Sequence, residues 1–476
     1  MDPSGARRDR TSGSPVSRRA KWTAPAEPTS PVPTPRRLKP GTRYAYRFRS
    51  RGHVSPVGWT RTAPAASATP SRLRLGVVSC SNWEAGYFAA YRHLADRGDL
   101  DVVLHLGDYL YEYPTGEYGA AKGAVRASEP AHEIVTLADY RVRHGHYKTD
   151  PDLQRLHAAA PWVTTWDDHE SANDAWIDGA ENHQPESEGS WADRAAAARR
   201  AYDEWMPIRL SGSSALGDGS QVYRQLSFGT LADLRMLDLR SYRSEQASPA
   251  ALGAVGDADR TILGDGQMAW LKQSLSDSSA TWKLVGNLAM ISPVTFAAVD
   301  VEVGQALHDM GGILPPEGIP YNVDQWDGYT ADRRELIDHL ADHAITNTVF
   351  LTGDIHSAWA CDLPKNVGTY PFSKSVAVEW VGTSVTSNNL DDILKVAPRT
   401  VSLSVEGAIR TANPHVRYLD FDRHGYSVLT LTPARAQMDW YVLADRTDPD
   451  SAARWSAGFE TLPGTQRTRR VWYPAS

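Results

Sequence analysis

Strand-length apolar runs that stop at polar, chemically reactive side chains constrain the fold of this chain most strongly. Stretches with helical spacing separate several of these runs, and strands that alternate with helices indicate an α/β layered fold. The runs are Leu73–Val78, Val102–Leu106, Trp162–Thr165, Leu234–Leu237, Lys283–Leu288, Thr348–Leu351, Val376–Val381 and Val428–Leu431.

Three stretches between the runs predict helices, and two predict loops. The helical spacing covers Ser190–Trp205, Gly266–Leu275 and Ala331–His343. The segment Val299–Trp326 clusters Gly and Pro and predicts a long loop. Together with Gly179–Ser190, this loop is expected to shape a pocket.

Four of the apolar runs end at residue types that are common in metal sites. Because ligands of α/β sheets bind beyond the carboxyl ends of the strands, residues that are distant in sequence are expected to converge there. The four ends carry Cys80, then Asp108, then Asp167, Asp168 and His169, and finally Asp354 and His356.

Each of these motifs alone has an ordinary structural explanation. A Gly-Asp pair after a strand usually forms a turn, and a single Cys is usually a small buried apolar residue. The Asp-Asp-His-Glu run at 167–170 is equally typical of a helix amino terminus. Four such ends together favour a metal site, because four independent strand ends with this chemistry are hard to obtain by chance. Two metal ions about 3.5–4 Å apart can hold a phosphate ester and activate water.

The sequence lacks the motifs of two competing enzyme classes. The sequence contains no Gly-x-Ser-x-Gly element, which disfavours Ser-His-Asp hydrolysis. It contains no Gly-x-x-x-x-Gly-Lys-Ser/Thr element either, which excludes a P-loop nucleotide hydrolase.

Charge and composition divide the chain. Residues 1–62 hold fourteen Lys and Arg against three Asp and Glu, a balance of +11. Since the net charge of the chain is −7, the other residues carry a charge of −18. We expect a disordered basic leader at 1–38, a truncated small β module at 39–62, a linker at 63–72 and a catalytic domain at 73–476. A nucleic-acid partner and a membrane span are not expected. No secretion signal is evident, so the chain as written is expected in the cytoplasm.

The motifs in this order make the chain resemble the alkaline phosphatase D (PhoD-like) family of the metallophosphoesterases. The resemblance spans about residues 72–435. The matching elements are Val78-Ser-Cys-Ser-Asn82, His105-Leu-Gly-Asp-Tyr-Leu-Tyr-Glu112, Thr165-Trp-Asp-Asp-His-Glu170, Trp282-Lys-Leu-Val-Gly-Asn287, Asp324-Gln-Trp-Asp-Gly-Tyr329 and Thr352-Gly-Asp-Ile-His-Ser-Ala-Trp359.

The resemblance implies a fold, cofactors and roles. The expected fold is a sandwich of two face-to-face sheets flanked by helices. The family's pattern implies Fe3+ and Ca2+, in a site of two or more metals, and hydrolysis of phosphate esters by a metal-bound hydroxide. Asp108 would bridge the metals, and His169 would act near the leaving group or the attacking water. The implied iron ligands are Cys80, Asp108, Tyr111 and His356; the calcium ligands are Asp168 and Asp354, with Asn287 and Asn173 as further candidates.

Several alternatives stay open. A phosphodiesterase of the phospholipase D type would be favoured by an exposed apolar rim beside the metal cleft. The second alternative is a cytoplasmic phosphatase of specialised metabolism. The third is a non-enzymatic protein that keeps the fold and has lost the metals. The expected partner is a phosphorylated small molecule or lipid, and the chain is expected to be a monomer. As a metal ligand, Cys80 could not also form a disulfide with Cys361.

Overall fold

The computed structural model describes residues 38–119, 123–208, 221–309, 315 and 317–476. The ten α-helices are α1 Ala89–Arg97, α2 Leu137–Tyr147, α3 Pro151–Ala159, α4 Pro185–Glu188, α5 Trp191–Trp205, α6 Asp265–Ser276, α7 Val301–Asp309, α8 Thr330–Asp342, α9 Leu390–Leu394 and α10 Val401–Ala412 among the described residues. Short 3-10 helices cover Pro249–Gly256, Trp326–Gly328 and Val367–Thr369.

Twenty strands are present in the same part of the chain. They are β1 Arg43–Tyr46, β2 Arg49–Ser50, β3 His53–Val54, β4 Gly58–Arg61, β5 Leu73–Val78, β6 Val102–Leu106, β7 Trp162–Thr165, β8 Arg224–Phe228, β9 Ala232–Met236, β10 Trp282–Asn287, β11 Thr295–Phe296, β12 Ile319–Pro320, β13 Thr348–Thr352, β14 Ala358–Pro364, β15 Ser375–Val381, β16 Val416–Asp420, β17 Gly425–Thr432, β18 Arg435–Leu443, β19 Ala453–Thr461 and β20 Arg469–Val471.

Fourteen of the strands form two large mixed sheets. The first has the order β20-β19-β18-β17-β5-β6-β7, in which β5, β6 and β7 are parallel. The second has the order β16-β14-β15-β13-β10-β9-β8, in which β9, β10, β13 and β15 are parallel. The predicted strands are therefore the parallel centres of the sheets, together with β17.

The two sheets pack face to face through alternate side chains of these strands. Leu75 and Val77 of β5 lie in one buried cluster with Val349 and Leu351 of β13, whereas Phe350 points to the other side of its sheet. Because both faces of the central strands are covered, most of their residues are apolar, as is typical of buried parallel strands.

Helices cover the outer faces. Helices α1, α2, α3 and α5 pack on the first sheet, and α6 and α8 pack on the second. Helix α5 begins where the side chain of Ser190 accepts a hydrogen bond from the backbone N–H of Asp193, at 3.2 Å. The predicted α/β sandwich flanked by helices is confirmed.

The prediction that Val299–Trp326 is a loop throughout was wrong. Helix α7 occupies Val301–Asp309, and the side chain of Asp300 accepts hydrogen bonds from the backbone of Glu302 and Val303, at 3.0 and 3.3 Å. In the sequence, the densest Gly and Pro residues come after this helix rather than within it, so the composition of the whole segment concealed it. Helix α4 likewise interrupts the predicted loop Gly179–Ser190.

The small amino-terminal strands lie against helix α3. Strand β1 pairs with β4, and β2 pairs with β3. The Tyr46 hydroxyl donates a hydrogen bond to the backbone oxygen of His157, and Arg61 forms an ion pair with Asp101. The predicted leader lies outside the described residues, apart from its last residue. Within the described chain, no helix combines the length and apolar character needed to cross a membrane.

Candidate metal centre

The carboxyl ends of β5, β6, β7 and β13 meet in one buried cluster. Among the described residues, ligand-type atoms form three groups, and the atoms of each group lie within 4.8 Å of one another. Asp108 belongs to two of the groups, and so does Asp168, which links all three into one continuous site. The groups are Cys80 with Asp108 and His356, Asp108 with Asp168 and His169, and Asp167 with Asp168 and Asp354.

Four of the clustered residues have left-handed backbone conformations. Their φ angles are 60° at Cys80, 53° at Asp108, 63° at Asp354 and 51° at His356. Such conformations are uncommon for residues with a side chain, cost of order 1–3 kcal/mol each, and are frequent at functional sites. The chain therefore turns sharply after β5, β6 and β13, and these turns bring the four side chains to one place.

Residues that follow β7 hold the turn after β6 in place. Gly107 has a φ of 93°, and a Cβ at this position would lie 2.5 Å from the Cβ of Asp167, so only glycine fits. The carboxylate of Glu170 accepts hydrogen bonds from the backbone N–H groups of Asp108, Tyr109 and Asp167, at 3.1, 2.7 and 2.8 Å. Glu170 thus fixes the turns after β6 and β7 relative to each other.

Tyr111 joins the first group through its phenolic oxygen. The hydroxyl lies 3.0 Å from Asp108 Oδ2 and 3.1 Å from His356 Nε2. It accepts a hydrogen bond of 2.6 Å from the Ser387 hydroxyl. The other ring nitrogen of His356, Nδ1, lies 3.0 Å from the backbone oxygen of Asn388. That contact orients the imidazole, so Nε2 faces the cluster.

His169 is oriented by a buried carboxylate. Its Nδ1 lies 2.8 Å from Glu112 Oε2, and Glu112 also accepts hydrogen bonds from the backbone of Asn173 and the side chain of Asn182, at 2.7 and 3.0 Å. Burial lowers the pKa of His169, but the nearby carboxylates of Glu112, Asp168 and Asp108 raise it further, so the net shift is upward.

Arg240 binds the acidic side of the cluster. Its guanidinium forms ion pairs with Asp167, with Asp324 at 3.0 Å and with Asp354 at 3.3 Å, and it lies 3.6 Å from Asp168. Arg243 also pairs with Asp324, at 2.6 Å, and the two arginines outweigh the effect of burial and lower the pKa of Asp324.

The two arginines leave part of the negative charge uncompensated. Burial, reinforced by neighbouring carboxylates, raises the pKa of Asp108 and of Asp354 well above the usual range. Burial and Asp108 likewise raise the pKa of the Cys80 thiol. Among the described buried side chains, Asp108 Oδ1 and Asp167 Oδ2 have no hydrogen-bond partner. A buried carboxylate oxygen without a partner is costly, and a bound cation would satisfy it.

The two predicted asparagines already have other partners. The Asn287 amide nitrogen donates to the backbone oxygen of Ala289 at 2.5 Å, and its oxygen accepts from the Trp326 indole at 3.2 Å. The Asn173 amide donates to Glu181 at 3.1 Å. Their role as ligands stays a prediction, since each would have to exchange these bonds or add a metal to them.

Sequence reasoning missed three residues that build the site. Arg240 lies three residues beyond the apolar run Leu234–Leu237, so applying the strand-end rule to this run would have found it. Glu112 follows Tyr111 directly and carried no signal of its own. Ser387 lies 276 residues from Tyr111 in sequence, and no local pattern indicates their contact.

Both cysteines are free and buried. The Cys80 thiol lies 3.2 Å from the Ser79 hydroxyl, within the cluster, whereas Cys361 packs among apolar side chains of the second sheet. The disulfide that would have excluded Cys80 as a ligand is not formed.

Apolar side chains are exposed just beyond His356. Helix α9 begins two residues after Asn388, whose backbone oxygen contacts His356. On this helix the side chains of Ile393 and Leu394 are 65% and 46% exposed. These two exposed side chains, five and six residues beyond Asn388 in the chain, form a small apolar patch, the apolar rim.

A two-sheet α/β sandwich with clustered carboxylate, imidazole and thiol groups at its strand ends is typical of hydrolases that cleave phosphate esters with metal ions. The family model for PhoD-like phosphatases matches residues 75–440. Alkaline phosphatase D of Bacillus subtilis (strain 168) is 36% identical over 434 residues, which cover 89% of this chain and 68% of that protein.

The solved structure of PhoD agrees with these sequence matches. It superposes with a TM-score of 0.78 at 34% identity, and the match covers 92% of this chain and 78% of that one. The chain belongs to the PhoD-like phosphatase family, and it is a phosphoric ester hydrolase. Membership of this family implies metal ions, and the groups described above are able to hold them.

Proposed function

We propose that this hydrolase cleaves phosphomonoesters with a ferric ion and a calcium ion held at the strand ends. Cys80, Asp108, Tyr111 and His356 would hold the iron. Asp168 and Asp354 would hold the calcium, and Asp108 would be shared. The observation that carries the proposal is the continuous linkage of the three ligand groups through Asp108 and Asp168.

The donor types fit these two ions. A thiolate, a phenolate and an imidazole suit a transition metal, whereas carboxylate oxygens suit calcium. The unpartnered Asp108 Oδ1 would serve as the shared ligand, and the unpartnered Asp167 Oδ2 would offer the calcium ion a further buried oxygen. Bound cations would also offset the burial and the neighbouring carboxylates that raise the pKa of Asp108 and Asp354.

The side chains of this protein would position and protonate the ester. When bound, the metal ions supply positive charge for the phosphoryl group and activate water near neutral pH. His169, fixed by Glu112 through Nδ1, keeps Nε2 for a proton at the leaving or attacking oxygen. Arg240 holds the carboxylates Asp167, Asp168 and Asp354 in position, so they need not rearrange during the reaction.

Metal analysis of the full chain purified without chelator tests this assignment. We expect iron and calcium in the wild type, and loss of iron in Cys80→Ala and in Asp108→Asn. Cys361→Ala is the matched control, because Cys361 is equally buried but lies outside the three groups, and it should keep its iron. Unchanged iron in Cys80→Ala and Asp108→Asn would refute the iron site.

Tyr111→Phe distinguishes the binding of iron from its coordination by the Tyr111 phenolate. A ferric ion bound to a phenolate absorbs visible light through charge transfer, so the variant should lose or shift this absorption while keeping some iron. An unchanged visible spectrum in an iron-loaded variant would exclude Tyr111 as a ligand.

The choice between monoester and diester is tested with para-nitrophenyl phosphate and bis(para-nitrophenyl) phosphate. We expect the monoester to have the higher kcat/KM. A higher value for the diester would replace our proposal with the phosphodiesterase, which the exposed rim formed by Ile393 and Leu394 also favours.

A further inference from the structure

The amino-terminal strands carry cations without acidic neighbours in sequence. Residues 28–83 contain ten Lys and Arg and no Asp or Glu, in a chain whose net charge is −7. Arg61 is paired with Asp101. Arg47, Arg49 and Arg51 are exposed, and none of them forms an ion pair with a described carboxylate. These three side chains give the β2–β3 hairpin a concentrated positive charge.

Apolar side chains are exposed in the same small module. Phe48, Val54, Val57 and Trp59 are 40–55% exposed, although residues of these types are usually buried. Arg49 and Val54 are cross-strand partners in the hairpin, and the Arg43 guanidinium lies 4.4 Å from the centre of the Trp59 ring, so cations and apolar side chains lie next to each other. This hairpin surface consists of Arg47, Phe48, Arg49, Arg51, Val54, Val57 and Trp59.

The module that carries the hairpin surface lies at the amino-terminal end of β6, whereas the candidate metal centre lies at its carboxyl end. The module is joined to Asp101 through Arg61 and to α3 through Tyr46. Asp101 directly precedes β6, whereas Asp108 follows β6, so the length of the strand separates the two regions. A partner on the hairpin surface would therefore leave the cleft open.

We propose that the hairpin surface docks this protein on an anionic lipid surface. Arginines attract anionic headgroups, and side chains such as Phe and Trp enter the boundary between headgroups and acyl chains. A water-soluble polyanion such as nucleic acid would use the arginines but would leave Val54 and Val57 in water. The combination of both residue types thus favours lipid, and the orientation keeps the active site facing the solution.

Vesicle sedimentation of the full chain tests the proposal. We expect binding to vesicles of phosphatidylcholine with phosphatidylglycerol, weaker binding at high salt, and little binding to phosphatidylcholine alone. Each arginine near such a surface contributes about fivefold in partitioning, so Arg49→Gln with Arg51→Asn should reduce binding about 25-fold. Phe48→Ser should also reduce it.

The double variant is designed to keep the hairpin folded. Arg51 and Gly52 form its two-residue turn with φ angles of 47° and 84°, and Asn-Gly is the preferred pair for such a turn. Arg410→Ala with Arg454→Ala removes two exposed arginines elsewhere and should leave vesicle binding unchanged. Hydrolysis of para-nitrophenyl phosphate should be the same in all variants, with or without vesicles.

Three results would overturn the proposal. The first is equal vesicle binding by the wild type and the Arg49/Arg51 variant. The second is vesicle binding that inhibits the hydrolysis of the soluble ester, which would place the lipid at the apolar rim of Ile393 and Leu394 instead. The third is binding to single-stranded DNA with the same dependence on the hairpin but no binding to anionic vesicles.

Discussion

At the scale of single residues, the site is organised by contacts that orient reactive side chains. His169 and His356 each have one ring nitrogen engaged, by Glu112 and by the backbone of Asn388, and each has the other directed at the cluster. The left-handed backbones at Cys80 and Asp108 provide the same precision for thiol and carboxylate. Removing a partner of this kind should impair catalysis without removing a reactive group.

Glu112→Gln tests this at His169. The substitution keeps the size of the side chain but removes the negative charge opposite Nδ1, so we expect kcat to fall about 10- to 100-fold with a smaller change in KM. Steady-state kinetics with a soluble phosphate ester measures both. Glu188→Gln is the matched control, because Glu188 pairs with His183 at 2.9 Å outside the three ligand groups. Equal losses in both variants would mean that Glu112 serves only the fold.

Lys148 predicts a pH dependence of stability. Its ammonium group contacts the Tyr109 hydroxyl and lies 3.4 Å from His157 Nε2 and 3.5 Å from Met206 Sδ. Burial lowers its pKa from 10.5 to about 7. Protonated Lys148 is thus penalised in the folded state, fully below pH 7, and the penalty disappears as the pH rises through the window from about 7 to 10.5.

Lys148→Met should therefore stabilise the protein at neutral pH. We expect a gain in the free energy of unfolding on the order of 2 kcal/mol at pH 7. This is less than the full pKa shift implies, because the side chain is partly accessible to solvent. The gain should be smaller at pH 9.5. Urea unfolding at both pH values measures the difference. A gain that is equal at both values would show that the lysine is not desolvated in the folded protein.

At the scale of elements, apolar runs predicted strands better than composition predicted loops. The central strands are buried on both faces, so a run of mainly apolar residues is enough to predict them. Helix α7 was missed because it is short and lies in a segment whose second half is rich in Gly and Pro. The exact ends of β5, β6, β7 and β13 matter more than their lengths, because a reactive side chain lies two residues beyond each of them.

Leu351→Ala tests the packing between the sheets. Leu351 is fully buried among side chains of both sheets, so we expect the truncation to lower the free energy of unfolding by about 2–5 kcal/mol. Leu394→Ala, at the exposed rim, should change it by less than about 0.5 kcal/mol. Denaturant titration compares the two. A similar small effect in both would mean that the sheets are not closely packed at Leu351.

At the scale of the whole molecule, the packing of the two sheets brings several carboxylates together, and a bound cation would balance their charge. A ligand that binds only the folded state stabilises it by about 2.7 kcal/mol at a hundredfold excess over Kd. Calcium added to the metal-depleted protein should therefore raise Tm, and chelator should reverse the rise. Asp168→Asn should show a smaller rise, measured by calorimetry, whereas Asp338→Asn, on the exposed side of α8, should behave like the wild type.

The sequence by itself determined the chemistry at the strand ends and the strands that carry it. Both depend on local information, since a buried strand needs an apolar run and a reactive residue follows its last position. Only the tertiary structure decided which of these residues meet. The proximity of Arg240 to Asp354, or of Ser387 to Tyr111, depends on how two sheets pack. No local pattern in the sequence specifies that packing, because it is a property of the whole core.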